Sequence, residues 1–173
     1  MSNQIITRTG IMYDLGNPNP TDIVLPDVLH ALSRICRYTG HTREHYSVAE
    51  HSVRCFRVVV DWGGSVTDQI SALTHDFHEA YIGDVSSPAI RCVPGWAEFE
   101  LKHSLAMASR FGLPKQITEL AKKADRVMLA TELRDLFGHR LLGGEPVKQE
   151  IKPWNWANSY WELKHACEIL GVM

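Results

Sequence analysis

The chain has 173 residues and a mass of 19.6 kDa, 45% of them hydrophobic and 22% charged, enough to bury a core and short enough for one domain. Its 18 basic and 20 acidic side chains give a formal charge of -2, which excludes a global field that would draw the protein to nucleic acid or an anionic membrane. The start "MSNQIITRTG" has no apolar signal core and the longest apolar runs, such as "FRVVV", are too short to cross a bilayer, so a soluble, reducing, cytoplasmic location is expected.

The first 26 residues form a loop-rich leader, with Gly10, Gly16, Pro18, Pro20 and Pro26 and the turn-like "LGNPNPTD". A short strand pair is expected around "IITRTGIMYDL". From Pro26, "PDVLHALSRICRY" places Val28, Leu32, Ile35 and Cys36 at helical spacing and predicts the first helix. Ser47 is suited to cap a second, with Glu50 as the matching capping-box acid, Val48, Cys55 and Val59 on its inner face and "WGG" as its stop.

A third helix is predicted over 65–81, where Ile70, Leu73, Phe77 and Tyr81 recur every three or four residues, and "DVSSPAIRCVPG" reads as a loop. Helices over 95–111 and 115–137 follow, the second carrying Leu120, Ala124, Met128, Thr131 and Leu136. The glycine-rich turn "GHRLLGGEP" precedes a last helix over 156–170. The sum is a single all-α domain over 1–173, a bundle of about six helices behind an irregular leader. Four dispersed cysteines, Cys36, Cys55, Cys92 and Cys167, lack the two-residue spacing of a zinc knuckle or redox dithiol and read as small buried hydrophobes.

The stretch "LTHDFHEAYIGD" gathers two histidines and three acidic residues, with His75 and Glu79 one helical turn apart. A His-Asp pair alone is ordinarily a surface feature. Company elsewhere changes its meaning: "SVAEHSV" sets His51 among small and apolar neighbours, and "KKADRVMLATE" sets Asp125 in an apolar helix. A buried imidazole or carboxylate must be hydrogen-bonded, paired or ligating. His51, His75, Asp76 and Asp125 make a nitrogen and oxygen donor set suited to manganese, cobalt, iron, nickel or zinc, and a divalent cation would remove the repulsion between the two aspartates. One or two coordination positions left for water and a substrate oxygen would serve hydrolysis. Upstream, "SRICRYTGHTREHYSVAEH" offers Arg34, Arg37, His41, Arg43 and His45, either as a solvated surface or as a grip on phosphoryl oxygens.

"AEHS", "LTHDFHEAYIGD" and "KKAD" before "RVMLATE" together resemble the His…His-Asp…Asp signature of HD-domain phosphohydrolases, most closely the small nucleotide-hydrolysing branch that includes bacterial 5'-deoxynucleotidases. The resemblance covers about residues 27–137. It implies an all-helical fold and one divalent metal on His51, His75, Asp76 and Asp125, with manganese or cobalt favoured among cobalt, manganese, zinc, iron, nickel and magnesium. It further implies that Glu79, with Asp76, serves catalysis by activating water, that Asp84 contacts the sugar hydroxyl, and that "RY", Arg37 and Tyr38, binds the phosphate. Arg43, His41 and His45 have no counterpart in that branch. "GHTREHYSVAEHS" is instead similar to a phage and bacterial subgroup, in which extra basic residues could accommodate a longer phosphate chain.

The expected function is a 5'-deoxynucleotidase in the cytoplasm of a bacterium or phage-infected cell. Its alternatives are a deoxynucleoside triphosphate triphosphohydrolase, a cyclic- or signalling-nucleotide phosphodiesterase, and an inactive nucleotide-binding helical protein. The expected partner is a small deoxynucleotide, with no nucleic acid and no membrane. The resemblance suggests a homodimer or higher homo-oligomer, for which "WNWANSYW" offers either an apolar patch or cover for the chain's own core. Lys122 and Lys123 read as solvated, His78 as no ligand, and His30, His103, His139, His165, Trp154, Trp156 and Trp161 as ordinary packing or surface residues.

Overall fold

The computed structural model describes residues 3–138 and 145–173; most of the glycine-rich turn expected before the last helix, and His139 with it, lies outside the described residues. The chain opens with the expected strand pair, β1 (Gln4–Ile6) and β2 (Met12–Asp14), antiparallel with Ile5 opposite Tyr13. Gly10, at φ 87°, turns the chain between them, a conformation a Cβ would disfavour. Tyr13 ties this hairpin to the core: its ring is buried and stacked on Tyr81 at 4.0 Å, and its hydroxyl meets His103 Nδ1 at 2.8 Å. Asp27 adds a second tie by accepting from the Thr9 amide at 2.9 Å and the Thr9 hydroxyl at 2.7 Å.

The remainder is the expected all-α bundle, built from α1 (Leu25–Leu32), α2 (Val48–Asp61), α3 (Val66–Thr74), α4 (Glu79–Ile82), α5 (Ser87–Ile90), α6 (Trp96–Phe111), α7 (Glu119–Phe137) and α8 (Trp156–Leu170). Among the described residues no helix is long and apolar enough to cross a membrane.

Several local expectations are corrected. α1 stops at Leu32, because the Ser33 hydroxyl and the Arg34 and Ile35 amides turn back to His30 and Ala31 carbonyls, leaving Ile35 and Cys36 beyond the helix. Ser47 caps α2 by accepting from the Glu50 amide at 3.1 Å, but the Glu50 carboxylate takes Arg54 at 2.7 Å and the Trp154 amide at 2.8 Å instead of closing a capping box. The reciprocal box forms at α3, between Ser65 and Asp68.

The third correction matters most for function. The helix expected over 65–81 ends at Thr74, and hydrogen bonds of 3-10 type take over: Phe77 to Thr74, Glu79 to Asp76, Ala80 to Phe77 and Tyr81 to His78, at 3.0 to 3.2 Å. His75 and Asp76 therefore sit in a tight turn between α3 and α4. Leu73, Phe77 and Tyr81 stay on the core side through the break. The loop expected after Asp84 also contains one short helix, α5.

α2 is the central element, packed against α3, α7 and α8. Val53 and Phe56 join a core with Val28, Leu32, Leu73, Phe77 and Leu163. Cys55, Val58 and Val59 join another with Tyr46, Ala72, Ala124, Met128 and Ile151. Gly64 lets α7 approach the α2–α3 corner, since a Cβ there would fall 2.5 Å from Val59 Cγ1 and 2.8 Å from Leu120 Cδ2. Cys55 and Cys167 are buried as expected, whereas Cys36 is half-buried at a bridge to Ser47 and Cys92 is exposed after α5. Trp154 packs on the core between the Arg54 and Arg57 guanidiniums, while Trp156 and Trp161 are exposed, the former under Arg34 at 4.0 Å.

Candidate metal centre

Three elements converge on one point. α2 supplies His51, the α3–α4 turn supplies His75 and Asp76, and α7 supplies Asp125. His51 Nε2 lies 3.3 Å from His75 Nε2, 3.3 Å from Asp125 Oδ1 and 3.6 Å from Asp76 Oδ2, and His75 Nε2 lies 3.2 Å from Asp76 Oδ2. The four candidate ligands read from the sequence are thus brought together. Cys55, one turn beyond His51 on the same face of α2, joins them with Sγ 3.5 Å from His51 Nε2. Donor atoms of His51, Cys55, His75 and Asp125 all lie within 4.8 Å of one another, a group that could hold a metal ion.

Hydrogen bonds on the far side of each ring set the direction of its lone pair. His75 Nδ1 lies 2.9 Å from the Ala72 carbonyl oxygen; a carbonyl can only accept, so Nδ1 donates and Nε2 turns its lone pair inward. His51 Nδ1 lies 2.6 Å from Glu132 Oε1. Full burial works against charge on Glu132, but Arg37 and His51 outweigh it and bring that carboxyl down to about 2, so it too is an acceptor, receives the Nδ1 hydrogen bond of His51 and leaves Nε2 as the nitrogen that faces the centre. Glu132 also accepts from the Tyr38 hydroxyl at 2.5 Å and the Tyr46 hydroxyl at 3.0 Å, with Arg37 Nε 3.4 Å away.

These donors fit a divalent cation. Two inward imidazole lone pairs and two carboxylates repel one another unless positive charge lies between them. Burial opposes ionisation of Asp76 and Asp125, yet positive charge at His75, His51 and Arg37 holds Asp76 well below the usual carboxylate range, and a proton donated by His51 lowers Asp125; a cation would supply that charge in place of the inward proton. Access is graded: His51 is fully buried, whereas the Asp125 side chain is 40% exposed.

Around the donors stand the other residues singled out from the sequence. Burial first, then the charges of Asp76 and Asp84, push the Glu79 carboxyl well above its usual range, and its Oε2 is buried without a hydrogen-bond partner among the described residues. Asp84 is raised by burial and by Asp76 against the pull of Arg37. Arg37 Nη1 reaches Asp76 Oδ2 at 3.4 Å, so the residue read as a phosphate ligand bridges Asp76 and Glu132. Tyr38 and Thr39 hold the left-handed conformation, at φ 57° and 54°.

His41, Arg43 and His45 lie exposed on the following loop, with His45 Nε2 3.2 Å from the Arg34 carbonyl oxygen. They are not drawn in among the donors. Lys122 pairs with Glu119 at 2.8 Å and Lys123 lies over Trp62 at 4.9 Å, so both are occupied away from the centre. His78 turns to Glu100 at 3.2 Å, in keeping with its reading as no ligand. A cleft of about 270 Å³ adjoins His75 and Asp76, bounded also by Thr74, Met107, Leu113 and Lys115. A larger hollow of about 660 Å³, beside Arg54, Arg57 and Lys148, contains none of the donors.

Glu132 and Lys115 were missed in the sequence. Glu132 left a signal, standing seven residues after Asp125 and so two turns along the same helix face; Lys115 left none.

No protein-family model matches the chain. Over 132 residues, 76% of this chain and 71% of the relative, it is 40% identical to the uncharacterized protein YfdR of Escherichia coli strain K12. The chain belongs to the YfdR family. An uncharacterized protein of Rhodobacter capsulatus is 31% identical over 139 residues, 75% of this chain and 71% of that protein. Neither relative's name carries an activity, so the chemistry of this YfdR-family chain rests on its donors and their surroundings.

Proposed function

We propose that the protein is a metal-dependent phosphohydrolase of the HD type, acting as a 5'-deoxynucleotidase that releases phosphate from a deoxynucleoside monophosphate. The observation that carries this reading is the convergence of His51, His75, Asp76 and Asp125 from three separate elements, with an unpartnered carboxyl oxygen of Glu79 and the Arg37 guanidinium beside them.

A divalent cation held by those four residues supplies Lewis acidity toward a phosphoryl oxygen and lowers the pKa of water. Glu132 and the Ala72 carbonyl keep the His51 and His75 lone pairs aimed inward. Glu79, whose carboxyl is raised by burial and by Asp76 and Asp84, takes a proton from the attacking water and returns it to the leaving oxygen. Arg37 places positive charge where phosphoryl oxygens gain negative charge. Asp84 accepts from the sugar hydroxyl.

The exposed loop carrying His41, Arg43 and His45 favours one second reading, a deoxynucleoside triphosphate triphosphohydrolase whose longer phosphate chain reaches those groups. The two separate by product, with manganese or cobalt supplied. Inorganic phosphate from a deoxynucleoside monophosphate panel upholds the first, intact triphosphate from the matching triphosphate panel replaces it with the second, and turnover of neither overturns both. If nucleotides bind without turnover, the protein is a nucleotide-binding helical protein.

A further inference from the structure

We infer that Cys55 is itself a metal ligand, adding one sulfur to the His51, His75, Asp76 and Asp125 donors and making the centre selective for borderline cations such as zinc or cobalt over manganese or magnesium. The inference rests on the metal centre of the proposed function and deepens it by naming the class of cation.

The position of the sulfur argues for ligation over packing. Cys55 follows His51 by four residues on α2, which stacks both side chains on one helix face. It is fully buried, and its Sγ approaches the His51 nitrogen that turns its lone pair inward.

The separations measured from His51 also suit ligands that share one ion. With metal–nitrogen and metal–oxygen bonds of about 2.0–2.1 Å and a metal–sulfur bond of about 2.3 Å, tetrahedral ligands lie about 3.3 Å apart for nitrogen or oxygen pairs and about 3.5 Å apart for nitrogen with sulfur. From His51 Nε2 the distances are 3.3 Å to His75 Nε2, 3.3 Å to Asp125 Oδ1 and 3.5 Å to Cys55 Sγ. Asp76, paired with Arg37 at 3.4 Å, stands as a fifth donor.

One sulfur changes the chemistry of an otherwise nitrogen and oxygen centre. Thiolate favours zinc, cobalt and ferrous iron and does little for manganese or magnesium, which take oxygen ligands. The thiol proton passes to solvent as the cation binds, so no oxidant or reductant is involved.

The full chain loaded with cobalt(II) tests this without any substrate. We expect a sulfur-to-cobalt charge-transfer absorption in the near ultraviolet, lost in both Cys55→Ala and Cys55→Ser, with zinc affinity falling about tenfold or more while manganese affinity changes little. Circular dichroism confirms the helical fold of each variant, and the more conservative Cys55→Ser decides if Cys55→Ala does not fold. Cobalt binding without that absorption, or an absorption that survives the substitutions, overturns Cys55 as a ligand and leaves the other donors standing. If wild-type protein takes up no cobalt, zinc or manganese, the metal centre fails and this inference with it.

Discussion

Residues 41–45 and the first turns of α2 are neighbours in sequence and similar in composition, yet the fold treats them oppositely. His41, Arg43, Glu44 and His45 face solvent, while Tyr46, Glu50 and His51 are fully buried and each has fixed partners. Glu50 holds Arg54 and the Trp154 amide, Tyr46 donates to Glu132, and His51 is locked between Glu132 and the other donors. A histidine becomes part of the centre here because its ring is held among other donors, whereas His45, also held by a carbonyl, meets none of them, and residue type alone did not mark the difference.

The strongest way to break that contrast is to remove what fixes the buried side. Glu132→Ala leaves His51, Arg37 and two tyrosine hydroxyls without their shared acceptor, and should lower stability by about 3–5 kcal/mol in denaturant unfolding. Glu132→Gln should recover part of that stability yet weaken cation binding about 10–100-fold, since its amide holds the His51 ring less firmly. Wild-type stability in the alanine variant would show that the network holds nothing together.

A smaller effect is expected from Tyr38→Phe, which removes one hydroxyl from Glu132 Oε2. A loss of about 1–3 kcal/mol should follow, readable in the same unfolding curves.

The contrast extends to a buried imidazole remote from the centre. Burial, aided by the charges of His78 and Lys102, lowers the His103 pKa from 6.5 despite the opposing pull of the Leu15 backbone. Below about pH 6.5 the unfolded chain therefore takes up a proton that the folded chain resists, and stability falls with pH until the folded-state pKa is reached. His103→Gln should flatten that slope between neutral and mildly acidic pH; an unchanged slope would remove His103 from the account.

The least effect on stability should come from the loop. His41→Ala, Arg43→Ala and His45→Ala should each stay within about 0.5 kcal/mol of wild type and keep the same cation affinity. Kinetics sharpen the comparison further: a KM that rises for a deoxynucleoside triphosphate and not for the monophosphate would place this loop on the outer phosphates.

Much of this was legible in the chain. Helical periodicity located most of the bundle; His51 and Asp125 stood out as polar residues amid apolar helical pattern, and the His75–Asp76 pair gained meaning from that company and from the resemblance to the HD signature. The break at His75 was hidden because Leu73, Phe77 and Tyr81 stay buried through it, so the apolar repeat carries no mark of where α3 ends. Cys55 was hidden by its apolar neighbours, which make a ligand and a packing residue look alike. Glu50 matched a capping-box pattern, yet its carboxylate had better partners in Arg54 and Trp154, which no local pattern reveals.

The reach of Glu132 has a further consequence, for the order in which the molecule assembles. Its hydrogen bonds to Tyr38, Tyr46 and His51 span 94, 86 and 81 residues of chain. Closing segments of that length carries an entropic cost met only when α7 docks on α2. Until that docking, the His51 ring lacks the contact that aims it, so a partly folded chain offers a cation little. Cation concentration then acts on the folding equilibrium by mass action, drawing the population toward the one state in which both ends of the network have met.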